Sequence, residues 1–82
     1  MARLDGKVAL ITGAGAGIAR EASRLFASEG ASVAVVEINP ETGAETASLI
    51  QADGGKAVSI VADVSEPDDV ERAVKEAVET FG

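Results

Sequence analysis

The chain contains no cysteine, histidine, tyrosine or tryptophan, and its aromatic side chains are two phenylalanines, Phe26 and Phe81. Without cysteine or histidine there is neither a disulfide framework nor a Cys/His cluster for a structural metal, and the redox compartment is left open. The side chains that most often move protons near neutral pH are also missing, which leaves carboxylates and lysines. Basic residues are few: 7 Lys and Arg stand against 14 Asp and Glu, a net charge of −7. That balance, with no aromatics to stack bases, excludes a nucleic-acid or anionic-membrane partner. No apolar run approaches roughly 18 residues and no basic segment precedes an apolar one at the N-terminus, so a membrane span and a signal peptide are not expected. A cytoplasmic protein is the expectation. At 82 residues and 46% apolar content the chain forms one small domain, residues 1–82, burying about 60% of its unfolded surface.

What is present is organised around residues 8–19, Val-Ala-Leu-Ile-Thr-Gly-Ala-Gly-Ala-Gly-Ile-Ala. The uninterrupted apolar run at 8–11 predicts a parallel strand covered on both faces. Gly13, Gly15 and Gly17 then permit positive φ angles, or close approach of another group, where a helix must begin. The unsatisfied amides and positive dipole end of that helix make a site for a phosphate or pyrophosphate. A P-loop is excluded, because Ile18 and not lysine follows Gly17. Gly-x-Gly-x-x-Gly/Ala also fails, since its last position would be Ile18 or Arg20.

Further along, Ile18, Ala22, Leu25 and Phe26 predict one apolar face of a helix that runs to about Glu29 and stops at Gly30. Ser32–Glu37 holds Val33-Ala34-Val35-Val36, a second two-sided strand. Asn39-Pro40 reads as an N-cap followed by proline at the first helical position, opening a helix to about Ala52 that Asp53-Gly54-Gly55 closes. Residues 57–61 predict a third strand. Ser65 with Asp68 resembles a capping box, and Val70, Ala73, Val74, Ala77, Val78 and Phe81 mark the buried stripe of a third helix. This βαβαβα alternation predicts an α/β, Rossmann-type parallel sheet of strand order 3-2-1, half of a doubly wound fold. Glu37 ends the second strand 20 residues after Gly17, where a carboxylate can accept both ribose hydroxyls of a dinucleotide and repel a 2′-phosphate.

Thr12-Gly13-x-x-x-Gly17-x-Ala19, Leu4-Asp5-Gly6-Lys7 before it, Glu37-Ile38-Asn39-Pro40 and Asp63-Val64-Ser65 resemble the N-terminal part of a classical short-chain dehydrogenase/reductase. The signature there is Thr-Gly-x-x-x-Gly-x-Gly, from which Ala19 departs; alanine still lets the helix lie near the strand. The resemblance spans essentially the whole chain. It implies the N-terminal half of an NAD(P)-binding domain, and an oxidoreductase interconverting alcohol and carbonyl groups of a small-molecule substrate. In it Asp63 would contact the adenine amino group, with Val64 beside it. Ala16 and Ile38 offer no cation where family members that use the phosphorylated cofactor often carry one, so NAD is favoured over NADP. The expected cofactor-binding residues are Thr12, Gly13, Gly15, Gly17, Ile18, Glu37, Ile38, Asp63 and Val64, with no catalytic or metal-binding residue in this chain. Thr12 is expected to brace the glycine turn, and Lys7, Lys56 and Lys75 to be surface lysines. The family's Asn-Asn-Ala-Gly turn and Tyr-x-x-x-Lys pair would lie beyond residue 82, as would the helices that build its homo-oligomers. The 82 residues are therefore expected to be a fragment, inactive alone. Two alternatives stand beside this reading. One is a non-catalytic nucleotide-binding module. The other is a fragment of an S-adenosylmethionine-dependent methyltransferase, disfavoured because Ile11 stands where an acid would meet that ligand's cationic end.

Overall fold

The computed structural model describes residues 3–13 and 17–82. Its elements run β1 (Val8–Thr12), α1 (Gly17–Ser28), β2 (Ser32–Glu37), α2 (Pro40–Ala52), β3 (Lys56–Val61) and α3 (Pro67–Phe81). The strands form one parallel sheet in the order β1-β2-β3, the α/β arrangement expected, with β1 on an edge. Register pairs Thr12 with Val36 and Glu37 with Val61. The carboxyl ends of the strands are stitched together just past these pairs: the Gly13 amide donates to the Val36 carbonyl at 2.9 Å, and the Ala62 amide to the Glu37 carbonyl at 3.2 Å.

The core lies on both sides of β2, whose four central residues are buried. Val33 and Val35 meet Ala31, Ala47 and Ile50 on one face, together with Ala19 and Ala27 of α1. Ala34 and Val36 meet Ile60, Ala62 and two alanines of α3, Ala73 and Ala77, on the other. Each fully buried valine contributes about 1.5–3 kcal/mol, so the central strand anchors the fold. β1 differs from the expectation. Its run is only partly buried, with Val8 at 44% exposure, because a neighbouring strand covers one edge and not the other.

Asn39 caps α2 as its position predicts: Oδ1 accepts from the amides of Glu41 at 2.9 Å and Thr42 at 3.3 Å, and Pro40 follows it. The other two helices correct the sequence reading. On α1 the row facing the sheet is Ala19, Ser23 and Ala27, with Ser23 fully buried and its hydroxyl donating back to the Ala19 carbonyl at 2.8 Å. Ile18 and Leu25 of the expected apolar face point outward, at 89% and 58% exposure. Small residues win the inner row because they let the helix lie close to the sheet, and Ser23 satisfies its own hydroxyl. On α3 only Ala73 and Ala77 of the expected stripe are buried, while Val70, Val74 and Val78 remain exposed. The capping box at Ser65 is absent. With Pro67 at the first helical position, Glu66 and not Ser65 is the N-cap, and its side chain makes no capping bond.

Candidate functional site

Gly13, just past the end of β1, forms the first wall of the site, and α1 begins at Gly17. Gly13 and Gly17 have φ of +65° and +63°, a left-handed conformation that a Cβ would strain. A Cβ at either would meet nothing within 4 Å among the described residues. The Gly13 amide is committed to Val36, which ties the turn to the sheet. Donors for an anion are therefore sought in the first turn of α1, whose amides lack intrahelical acceptors. That turn contains no acid, whereas α2 carries Glu41 and α3 carries Asp68 and Asp69 in the corresponding place. The positive end of the α1 dipole is thus not answered by a carboxylate of its own first turn. Thr12 lies exposed at the end of β1 and Ile18 is exposed on the first turn; Gly15 lies outside the described residues.

Glu37 forms the second wall, at the end of the central strand. One carboxylate oxygen, Oε1, accepts from the Asn39 amide at 3.4 Å, so the side chain turns toward the start of α2. Ile38, next along, is 61% exposed. The third wall follows β3. Asp63 Oδ1 accepts from both the hydroxyl of Ser65, at 2.6 Å, and its amide, at 2.9 Å. The hydroxyl first, then the amide, holds the Asp63 carboxyl below its ordinary value of 3.8, because both stabilise the ionised form. The Asp63 amide in turn donates to Asp69 Oδ2 at 2.9 Å, which fastens this turn to α3. Gly13, Glu37, Ile38, Asp63 and Val64, with Val36 and Ala62 behind them, line one depression of about 130 Å³. Five of the expected site residues are thereby brought together; Thr12 precedes Gly13 in the chain, and Gly17 and Ile18 are not among the lining residues.

Two other hollows, of about 200 and 430 Å³, open at the far side of the molecule around Gly54 and Gly55. They include the amino ends of strands, with Lys7, Ser32 and Lys56 among their lining residues. Ligands of open parallel sheets bind at the carboxyl ends, so size does not outweigh position here. Among the described residues no cluster of three potential metal-ligating side chains occurs, and no helix is long and apolar enough to cross a membrane.

Three residues gain roles that their sequence context did not reveal. Arg20 bridges α1 to α2, its Nε donating to Thr46 Oγ1 and its guanidinium meeting Glu45, both at 2.9 Å. Asp69, an acid in the first turn of α3, holds the Asp63 turn. Gly43 lies buried in α2 against Glu37. Lys7, Lys56 and Lys75 are exposed, as expected.

A family model for short chain dehydrogenases matches residues 7–82. The chain belongs to this family. It is 52% identical over 95% of its length to an uncharacterized oxidoreductase of Thermotoga maritima, of which it covers 30%. It is 46% identical over 98% of its length to a cyclohexanol dehydrogenase of Acinetobacter sp., of which it covers 32%. Among solved structures, a 7 alpha-hydroxysteroid dehydrogenase complexed with NADH and 7-oxo glycochenodeoxycholic acid superposes with a TM-score of 0.95 at 40% identity, over 98% of this chain and 31% of that one. A hydroxysteroid dehydrogenase from Escherichia coli gives the same score and identity. The chain therefore spans about a third of the length of these relatives. Family membership also disposes of the methyltransferase alternative, and the structural likeness fits a nicotinamide dinucleotide as the family's ligand.

Proposed function

We propose that residues 1–82 are the adenosine- and pyrophosphate-binding part of an NAD-dependent oxidoreductase that interconverts alcohol and carbonyl groups of a small molecule. The observation that carries this is the convergence of Gly13, Glu37 and Asp63 on one depression at the carboxyl ends of three adjacent strands; α1, the helix that follows Gly13 in the chain, has no acid in its first turn. The pyrophosphate would sit on the first turn of α1, with Thr12, Gly13, Gly15, Gly17 and Ile18 shaping the approach. Glu37 would accept the ribose hydroxyls. Adenine would lie between Ile38 and Val64, two exposed apolar side chains that water does not favour, with its amino group toward Asp63. The donor set fits the ligand: amides for the phosphates, a carboxylate for the diol, and an ionised acid for an amino group. NAD supplies or accepts the hydride when bound; the residues of this chain hold and orient its adenosine end. They contain no tyrosine, histidine or cysteine to move the substrate proton, so these 82 residues alone do not catalyse the reaction. A non-catalytic binding module is the second reading, favoured by that same lack.

Titration calorimetry with NAD and NADP tests the assignment of Glu37. A 2′-phosphate would meet like charge, so NAD is expected to bind at least about tenfold more tightly, about 1.4 kcal/mol. Glu37→Ala should bring the two affinities together. Equal affinities in the wild type, or a ratio untouched by the substitution, remove Glu37 from the ribose site.

A further inference from the structure

Gly43 occupies the first part of α2, its amide donating to the Asn39 carbonyl at 3.1 Å in a regular turn. Its φ is not positive, so the backbone conformation there does not require glycine, and glycine is among the poorest helix formers. The requirement comes from proximity. A Cβ at this position would stand 2.9 Å from Ser59 Oγ, 3.1 Å from Glu37 Cβ and 3.6 Å from Glu37 Cγ. The Ser59 hydroxyl can rotate away. Glu37 Cβ cannot, because it is fixed to the end of the central strand, whose preceding residues are fully buried and paired on both edges. The bare backbone of α2 therefore packs directly on the stem of Glu37, on the same side from which the Asn39 amide reaches its carboxylate.

We propose that Gly43 is a specificity-positioning residue: by leaving room for the Glu37 stem it sets where the carboxylate points, and so governs the preference for NAD over NADP. This rests on the reading of Glu37 as the ribose acceptor. A methyl group at 43 crowds Glu37 Cβ, forcing α2 and the Glu37 stem apart, so that the carboxylate shifts away from the diol while the first turn of α1 is untouched. The loss falls on the cofactor that Glu37 binds, not on the one it repels.

The test is calorimetric titration of the natural polypeptide that carries this sequence, with NAD and NADP, for wild type, Gly43→Ala, Glu37→Ala and the double variant. Gly43→Ala should raise the Kd for NAD about tenfold and leave that for NADP within about twofold. In the Glu37→Ala background the same methyl should change neither. An equal loss for both cofactors, a loss of NAD affinity that persists undiminished without the Glu37 carboxylate, or no loss at all overturns the proposal. If Gly43→Ala does not fold, Gly43→Ala combined with Ser59→Ala removes the nearest obstructing atom and is judged by the same outcomes. Wild type that binds neither cofactor, or shows no preference, overturns the cofactor reading itself. A preference abolished by Glu37→Ala but kept by Gly43→Ala overturns only the role of Gly43.

Discussion

At Asp63, two donors from Ser65 converge on a single carboxylate oxygen. Both favour the ionised form, so the folded pKa lies below 3.8. For a carboxylate with a depressed folded pKa, the stabilisation is fully present above the unfolded value and is lost as pH falls through the folded one. Asp63 therefore stays charged through the neutral range, with no pH dependence of its own near 7, and its contribution fades only in acid below 3.8. Ser65→Ala removes the larger cause. The Asp63 titration midpoint, followed by carboxyl-carbon NMR, should then move upward, and an unmoved midpoint would show that the hydroxyl does not hold the carboxylate. The family motif singles out Asp63 in the sequence as an expected cofactor residue, but nothing there points to the partner that sets its charge. Ser65 followed by Asp68 fits a capping box, yet it equally fits a short turn closed on the preceding aspartate, and Pro67 decides between them by fixing the first helical position one residue later.

The elements read from side-chain chemistry agree with the structure most closely. Ser32–Glu37 and the helix from Pro40 to Ala52 stand where Asn39-Pro40 and the apolar run of β2 put them, because a cap and a buried strand each leave a local signature. The face of α1 was not legible and that of α3 was legible only in part, since Ala73, Ala77 and Phe81 of its expected stripe meet the core while Val70, Val74 and Val78 do not. Hydrophobic periodicity picks the greasiest stripe, whereas close helix-on-sheet packing here selects alanine and serine on α1 and alanine on α3. Gly43 escaped notice for a related reason: glycine within a helix reads as a weakness until the neighbouring Glu37 stem is seen. The same chemistry makes the Asn39 cap testable. Asn39→Ala leaves the Glu41 and Thr42 amides without their acceptor, at a cost of about 1 kcal/mol, or roughly 4–8 °C in Tm for a domain of this size. Asn39→Gly should cost only a few tenths of a kcal/mol. Thermal melts of the two variants decide it, and coincident melts would show that capping is not what Asn39 contributes.

For the molecule as a whole, the decisive feature is what α1, α3 and β1 leave uncovered. Among the described residues β1 has one neighbouring strand, so one row of its amides and carbonyls has no strand partner there, and Val8 lies exposed at its start. Ile18 and Leu25 on α1 and Val74 and Val78 on α3 are each about half exposed or more. An edge strand without charge, proline or bulge templates pairing with another strand, and apolar patches of this kind mark contact surfaces. The opposing force is the net charge of −7, whose repulsion reaches about 10 Å at 0.1 M salt and less as salt is added. The 82-residue chain is therefore expected to pass from a monomer, with a Cα radius of gyration of 11.5 Å, to larger species as ionic strength rises. Val8→Lys should blunt this. Val8 is a better site for the charge than Ala9, which packs against the core beneath α1, so the added lysine guards the edge without entering the interior. X-ray and light scattering across a salt series, on both chains, would read the outcome directly. A compact monomer at every salt concentration, unaffected by the lysine, would mean that the open edge of β1 does not drive association, and that the exposed valines and leucine are too dispersed to act as one surface.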